Sequence, residues 1–235
     1  HDGLRAVGVP AFTLRINHRK ILNGMLDSLG LVQQSGHVLR SLDKLSKIGR
    51  EAVLQELQFG ESRSAAATEE LDDNTPAAAV APAAEPPANR ILSLSDAQRI
   101  LDFIDAAGSG SPSEILTRVE RQVGTNPTAR EGLENLRTLF DLLVAGGVSE
   151  DKIILHVGLA RGLDYYTGVI YESMVTGFEN YGSVCSGGRY DDLAGLFIDR
   201  ALPGVGASFG LDRLAQLMSD AGWLKGSSTI APVLV

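Results

Sequence analysis

These 235 residues are expected to form an α+β fold, an antiparallel sheet flanked by helices with an all-helical unit inserted into it. Two changes of pattern carry that expectation. The chain opens with a half-buried strand and an amphipathic helix, then turns wholly helical, and after Gly146-Gly147 becomes β-rich and glycine-dense. In that last part strand follows strand instead of alternating with helix, which suits antiparallel pairing better than βαβ units.

Residues 11–16, AFTLRI, alternate apolar with polar and read as the first strand. Asn17-His18-Arg19-Lys20 follows. A helix then carries Ile21, Leu22, Met25, Leu26 and Leu29 on one face until Gly30 stops it. Leu42, Leu45, Ile48, Val53 and Leu57 recur at helical spacing over 42–57, a region that also holds Arg40, Lys44, Lys47 and Arg50. Residues 62–89 are rich in Ala and Pro, with too little bulky apolar surface to offset their ordering entropy, and are expected to be a mobile linker.

Three helix starts come next. Ser95 with Gln98 forms a capping box, and Ser111-Pro112-Ser113-Glu114 supplies a cap, a proline at the first helical position and a glutamate at the third. Asn126-Pro127 repeats the cap-then-proline device before a helix bearing Leu133, Leu136, Leu139, Phe140 and Leu143. Residues 91–147 thus read as a small helical unit. Beyond it, KIILHVGL and GVIYESMV (168–175) are strands, GSVCSGGRYDDL is a glycine-dense loop and strand, and VGASFGLDRLAQLMSD passes from a strand through Gly210 into a helix.

The totals narrow the function classes. A net charge of −8 argues against loose, charge-driven binding to nucleic acid or anionic membrane, though not against a local basic patch. The lone Cys185 excludes an intrachain disulfide or a cysteine zinc cluster and suits a reducing compartment, the cytoplasm. No metal-ligand spacing links the four histidines, and His18, in the turn after a strand, reads as structural. No apolar run reaches membrane-spanning length. The chain opens at His1 without a methionine, so it is expected to be an internal piece of a longer protein.

Three glycine-bearing motifs offer chemistry. In LARGLDYYTG, Arg161 either pairs with Asp164 at a plain strand end or presents a planar cation to a carboxylate or phosphate, with Tyr165 and Tyr166 as ring walls. In SGGRYDDL, Gly187 and Gly188 remove side chains where a ligand or neighbouring backbone comes close, and Tyr190 adds a ring; an ordinary hairpin reads the same way. In GVGASFGLDRL, Arg213 follows Gly210 early in a helix, either as a surface residue or as a cation for a base or phosphate chain.

Together they point to a small zwitterion beside a nucleotide, and the wording is similar to a known family. LARGLDYYTG and SGGRYDDL resemble the two histidine-specific signatures of histidyl-tRNA synthetases, and GVGASFGLDRL resembles the third motif of class II synthetases. FTLRINHRKILNGML and LDKLSKIGRE resemble the segments that follow the second class II motif and enter the insertion domain.

The resemblance implies a class II aminoacyl-tRNA synthetase-like sheet, incomplete here, spread over catalytic-core parts 1–48 and 150–226. A helical insertion domain, 49–149 with its linker at 62–89, and the start of an anticodon-binding domain at 227–235 complete the implied layout. It implies histidine activation by ATP and Mg2+ followed by transfer to tRNA(His), in a protein that is a homodimer at full length. By motif, Arg161 would hold the histidine carboxylate against the α-phosphate. Tyr165, Tyr166, Tyr190, Gly187 and Gly188 would form the histidine pocket, and Arg213 with Gly210 the ATP site. Arg40, Lys44, Lys47 and Arg50 would face tRNA, unless they are simply a solvated helix face. Motifs one and two are absent, so this piece is expected to be inactive alone. The alternatives are a histidine-sensing regulatory subunit of ATP phosphoribosyltransferase, a synthetase-like module that binds uncharged tRNA, and an unrelated small-ligand domain. The intact RGLDYYTG argues against the first two.

Overall fold

The computed structural model describes residues 1–60, 90–160, 165–200 and 202–224. The 62–89 linker, Arg161 and the 227–235 segment lie outside the described residues. The elements run α1 (Asp2–Ala6), β1 (Phe12–His18), α2 (Arg19–Ser28), α3 (Ser35–Asp43), α4 (Leu45–Phe59), α5 (Leu94–Ala107), α6 (Pro112–Val123), α7 (Pro127–Ala145), β2 (Ile153–Leu155), β3 (Val169–Val175), β4 (Cys185–Tyr190), β5 (Gly204–Phe209) and α8 (Leu211–Asp220).

The five strands form one sheet in the order β2-β1-β3-β4-β5. Four of them pair antiparallel, but β2 runs parallel to β1, so the sheet is mixed where an antiparallel one was expected. The reason is the connection: everything from α2 to α7 lies between β1 and β2, and a crossover that long can return the chain in the same direction.

Strand alternation gives the sheet two unlike faces. Phe12, Leu14 and Ile16 of β1, with Ile153 and Leu155 of β2, point into a core shared with Ile21, Leu22, Ile100, Ile115, Leu133 and Leu136 of the helices. The opposite face is largely polar. Cross-strand neighbours there form a row Ile154, Arg15, Glu172, Ser186, Ser208, in which Arg15 and Glu172 form an ion pair at 3.6 Å.

Helix α7 lies against α2 because both are small at the crossing. A Cβ on Gly24 would stand 2.6 Å from the Ala129 Cβ, and one on Gly132 would stand 3.2 Å from Ile21 Cγ1. The caps at Ser111 and Asn126 form as expected: Ser111 and Glu114 make a full capping box, and Asn126 accepts from the Ala129 amide. The cap of α5 is Ser93, not Ser95. Two overlapping serine frames compete in SLSD, and the earlier one places Asp96 where Ser93 Oγ accepts its amide at 3.0 Å. The helical spacing over 42–57 is shared by two helices: α3 ends at Asp43, and Gly49 (φ 79°) kinks α4, a left-handed backbone that glycine adopts without steric penalty.

His18 closes β1 and caps α2, its Nδ1 accepting from the Lys20 amide at 3.2 Å. Burial, then Lys20, lower its pKa to about 4 from 6.5. A lone pair that accepts a backbone N–H must stay unprotonated, so the folded state holds the neutral ring. The unfolded chain takes up its proton near 6.5 and the folded one only near 4. The His18 contribution to stability is therefore complete above pH 6.5 and is lost as pH falls towards 4, a difference of ~3 kcal/mol at most. Urea midpoints should fall over that window in the wild type and fall less in His18→Asn, which keeps a capping acceptor without the titration. An equal fall in both proteins would assign the window to other groups.

Candidate active site

The glycine-rich motifs converge on the polar face of β4 and β5. Tyr166 lies on Gly188: a Cβ there would come within 2.8 Å of the ring and 2.7 Å of the Val169 carbonyl oxygen. Tyr165 packs beside Tyr166 with ring centroids 4.3 Å apart, and meets Tyr190 edge-on at 6.0 Å. Tyr190 in turn crosses β5, its ring over Gly204 and its hydroxyl 3.3 Å from where a Gly206 Cβ would be. Three rings thus stand over a floor of Gly188, Gly204 and Gly206, a flat apolar bed edged by phenols.

Gly187 serves the other face. Its added Cβ would fall 2.6 Å from the Tyr171 hydroxyl, because Tyr171 crosses β4 there to donate to the Gly206 carbonyl at 2.7 Å. Burial raises the Tyr171 pKa, which keeps that hydroxyl a donor. The two adjacent glycines therefore do separate jobs, Gly188 under the tyrosine trio and Gly187 in the packing beneath it.

The loop that brings in Tyr165 and Tyr166 is held from several sides. Thr167 donates its hydroxyl to Asp191 at 2.6 Å and its amide to the Arg189 carbonyl at 3.0 Å. Arg189 also holds Asp191, at 2.9 Å. The Thr167 hydroxyl, ahead of Arg189, keeps the Asp191 carboxyl below the usual carboxylate range.

Two residues along the same face from Gly188 and Gly206 lie Ser186 and Ser208, which line a pocket of about 330 Å³ with Ser183, Gly210 and Arg213. The Arg213 Nη1 donates to the Ser183 carbonyl at 2.6 Å, which orients the exposed guanidinium at the pocket. That volume is in the range of small-ligand sites. The tyrosine trio and the arginine pocket are neighbours on one surface, about 7 Å apart by strand rise.

Sequence reading missed Arg19 and Asn17, which tether the tyrosine segment from the β1–α2 junction; their signal was polarity inside NHRK, directly beside an apolar strand. The basic run is only partly available to a partner. Lys44 pairs with the buried Glu56 at 2.5 Å, and Arg50 bridges Asp102 and Asp105 of α5 at 2.7 and 2.8 Å. Arg40 and Lys47 are exposed. No helix among the described residues is long and apolar enough to cross a membrane.

The family model for histidyl-tRNA synthetase matches residues 1–214. The chain belongs to the histidyl-tRNA synthetase family. Among curated histidyl-tRNA synthetase relatives it is 42% identical over 232 residues to the histidine–tRNA ligase of Rhodopirellula baltica, covering 99% of this chain and 46% of that protein. It is 37% identical over 235 residues to that of Wolinella succinogenes, covering all of this chain and 47% of that protein. The crystal structure of histidyl-tRNA synthetase from Nostoc sp. PCC 7120 superposes with a TM-score of 0.73 at 30% identity, over 94% of this chain and 45% of that one. The chain spans about half the length of the histidyl-tRNA synthetases it matches.

Proposed function

We propose that this chain supplies the histidine pocket and part of the ATP site of a histidine–tRNA ligase, which joins histidine to ATP and then to tRNA(His). The observation that carries the proposal is a shared surface: the tyrosine trio on its glycine floor adjoins the Arg213 pocket. Histidine brings a flat ring with one donor and one acceptor nitrogen, and phenol hydroxyls can satisfy both. A pocket built that way rejects amino acids that leave its polar groups unpaired, which is the stronger form of rejection.

In this reading Arg213, steered by Ser183, meets the nucleotide, and the glycines at 206 and 210 keep side chains out of its path. Arg161 would hold the histidine carboxylate against the α-phosphate. A fixed guanidinium there stabilises the charge that accumulates during in-line attack more than it stabilises the ground state. Mg2+ would arrive on the triphosphate and neutralise it. Residues 1–48 and 150–226 would be catalytic core and 49–149 an insertion domain that approaches the tRNA; the full-length protein would work in the cytoplasm as a dimer.

The test is histidine-dependent ATP–pyrophosphate exchange. The chain alone is expected to show none. A chimera in which it replaces the matching 232-residue segment of the Rhodopirellula ligase is expected to exchange. Tyr166→Ala in that chimera should raise the KM for histidine about tenfold or more and leave the KM for ATP within about twofold. Exchange by the isolated chain would refute its dependence on the remaining length, and a silent chimera would sink the histidine-pocket reading.

A further inference from the structure

The tyrosine-bearing segment is tied to the β1–α2 junction by a buried cation. Arg19 is 3% exposed. Its Nη1 donates to the Ala160 carbonyl at 3.1 Å, its Nε to the Tyr166 carbonyl at 3.4 Å, and its backbone N–H to the Gly168 carbonyl at 2.9 Å. Two residues earlier, the fully buried Asn17 gives its side-chain amide hydrogens to the Val157 and Leu159 carbonyls at 2.8 and 2.9 Å. Asn17 thus secures the incoming chain, and Arg19 holds it on both sides of residues 161–164.

A guanidinium is costly to bury, and an apolar side chain of similar volume would pack there with less desolvation. At the Ala160 and Tyr166 carbonyls the guanidinium supplies geometry. Its donors are fixed in one plane, so two carbonyls bonded to it cannot move independently. One of those carbonyls belongs to Tyr166, the residue whose ring lies on Gly188.

We infer that Arg19 is a positioning residue for the tyrosine pocket: by fixing the Ala160 and Tyr166 carbonyls it sets how the Tyr165 and Tyr166 rings stand over the β4 floor, and so how tightly histidine binds. The binding half of this inference rests on the histidine-pocket reading above; the positioning half does not.

Two experiments separate them. The first is amide hydrogen exchange on the chain itself, comparing wild type, Arg19→Lys and Arg19→Met. The Leu159 amide bonds to the His156 carbonyl within the tethered segment, and the Thr167 amide bonds that segment to the Arg189 carbonyl of β4. They should exchange about tenfold faster in Arg19→Met, with α6 and α7 unchanged and Arg19→Lys in between, since an ammonium can still hold one carbonyl. Unchanged protection at both amides overturns the positioning role. The second is pyrophosphate exchange in the chimera. There Arg19→Met should raise the KM for histidine about tenfold while the KM for ATP stays within about twofold, and Arg19→Lys should recover part of the loss. If Arg19→Met does not accumulate folded, Arg19→Lys carries the comparison with a rise of about threefold. Equal rises in both KM values, or a change confined to melting temperature, would make Arg19 merely structural. A wild-type chimera without exchange would sink the pocket reading and leave hydrogen exchange to decide the positioning.

Discussion

Gly187→Ala and Gly188→Ala, adjacent single-methyl additions, are expected to fail in different ways. At Gly187 the new methyl drives into the Gly206 backbone carbonyl of the neighbouring strand and into the Tyr171 hydroxyl bonded to it. Backbone cannot rotate aside, so β4 and β5 must part, at the upper end of overpacking costs, about 3 kcal/mol. For a domain of this size that is roughly 6–12 °C in melting midpoint. At Gly188 the methyl meets the Tyr166 ring, which can tilt, and the Val169 backbone carbonyl at 2.7 Å, a milder clash than the closer one at Gly187, so the stability loss should be nearer 1–2 kcal/mol. Its heavier effect should be on ligand binding, because the ring displaced is that of Tyr166. Calorimetric melting of the chain, with histidine KM in the chimera, distinguishes the two. Equal melting losses, or an unchanged histidine KM in Gly188→Ala, would contradict the division of labour between the two faces of β4.

That division was not legible in the sequence, although the glycine pair was. A one-residue register decides which face each glycine serves, and register follows from pairing with β3 and β5, which no local pattern encodes. The elements with local signals were legible: alternation marked β1 and β3, and proline after a capping residue marked α6 and α7. The cap of α5 was misplaced because serines at 93 and 95 are equally good caps locally, and Asp96 decides between them. The parallel placing of β2 was hidden because a strand of three residues carries almost no directional information of its own. At the site, the aromatic and glycine residues announced themselves by composition. Arg19 did not, since a cation in a turn reads as solvated until its burial against backbone carbonyls is seen.

Lys44→Met is expected to be among the most damaging changes in the helical region, and for a reason unrelated to nucleic acid. Glu56 is 1% exposed, Lys44 reaches its Oε1, and its Oε2 finds no hydrogen-bond partner among the described residues. Removing the lysine strands a buried carboxylate, a loss of about 3–5 kcal/mol when such a pair is broken from one side. Replacing both partners, as Lys44→Met with Glu56→Leu, should recover most of that, since two apolar groups leave nothing unpaired. Urea denaturation of the two singles and the double forms a complete cycle, and additive effects would show that the pair is not coupled. The same cycle bears on the basic run. If all four cations met phosphates, each replacement would weaken tRNA binding and lower its salt slope by about 1. Lys47, exposed, should behave that way in the chimera with tRNA(His), whereas Lys44, committed to Glu56, should lose stability and leave the salt slope unchanged. A salt slope that moved equally for both would mean that Lys44 releases Glu56 to meet the nucleic acid, and the buried carboxylate would then need another partner in the complex.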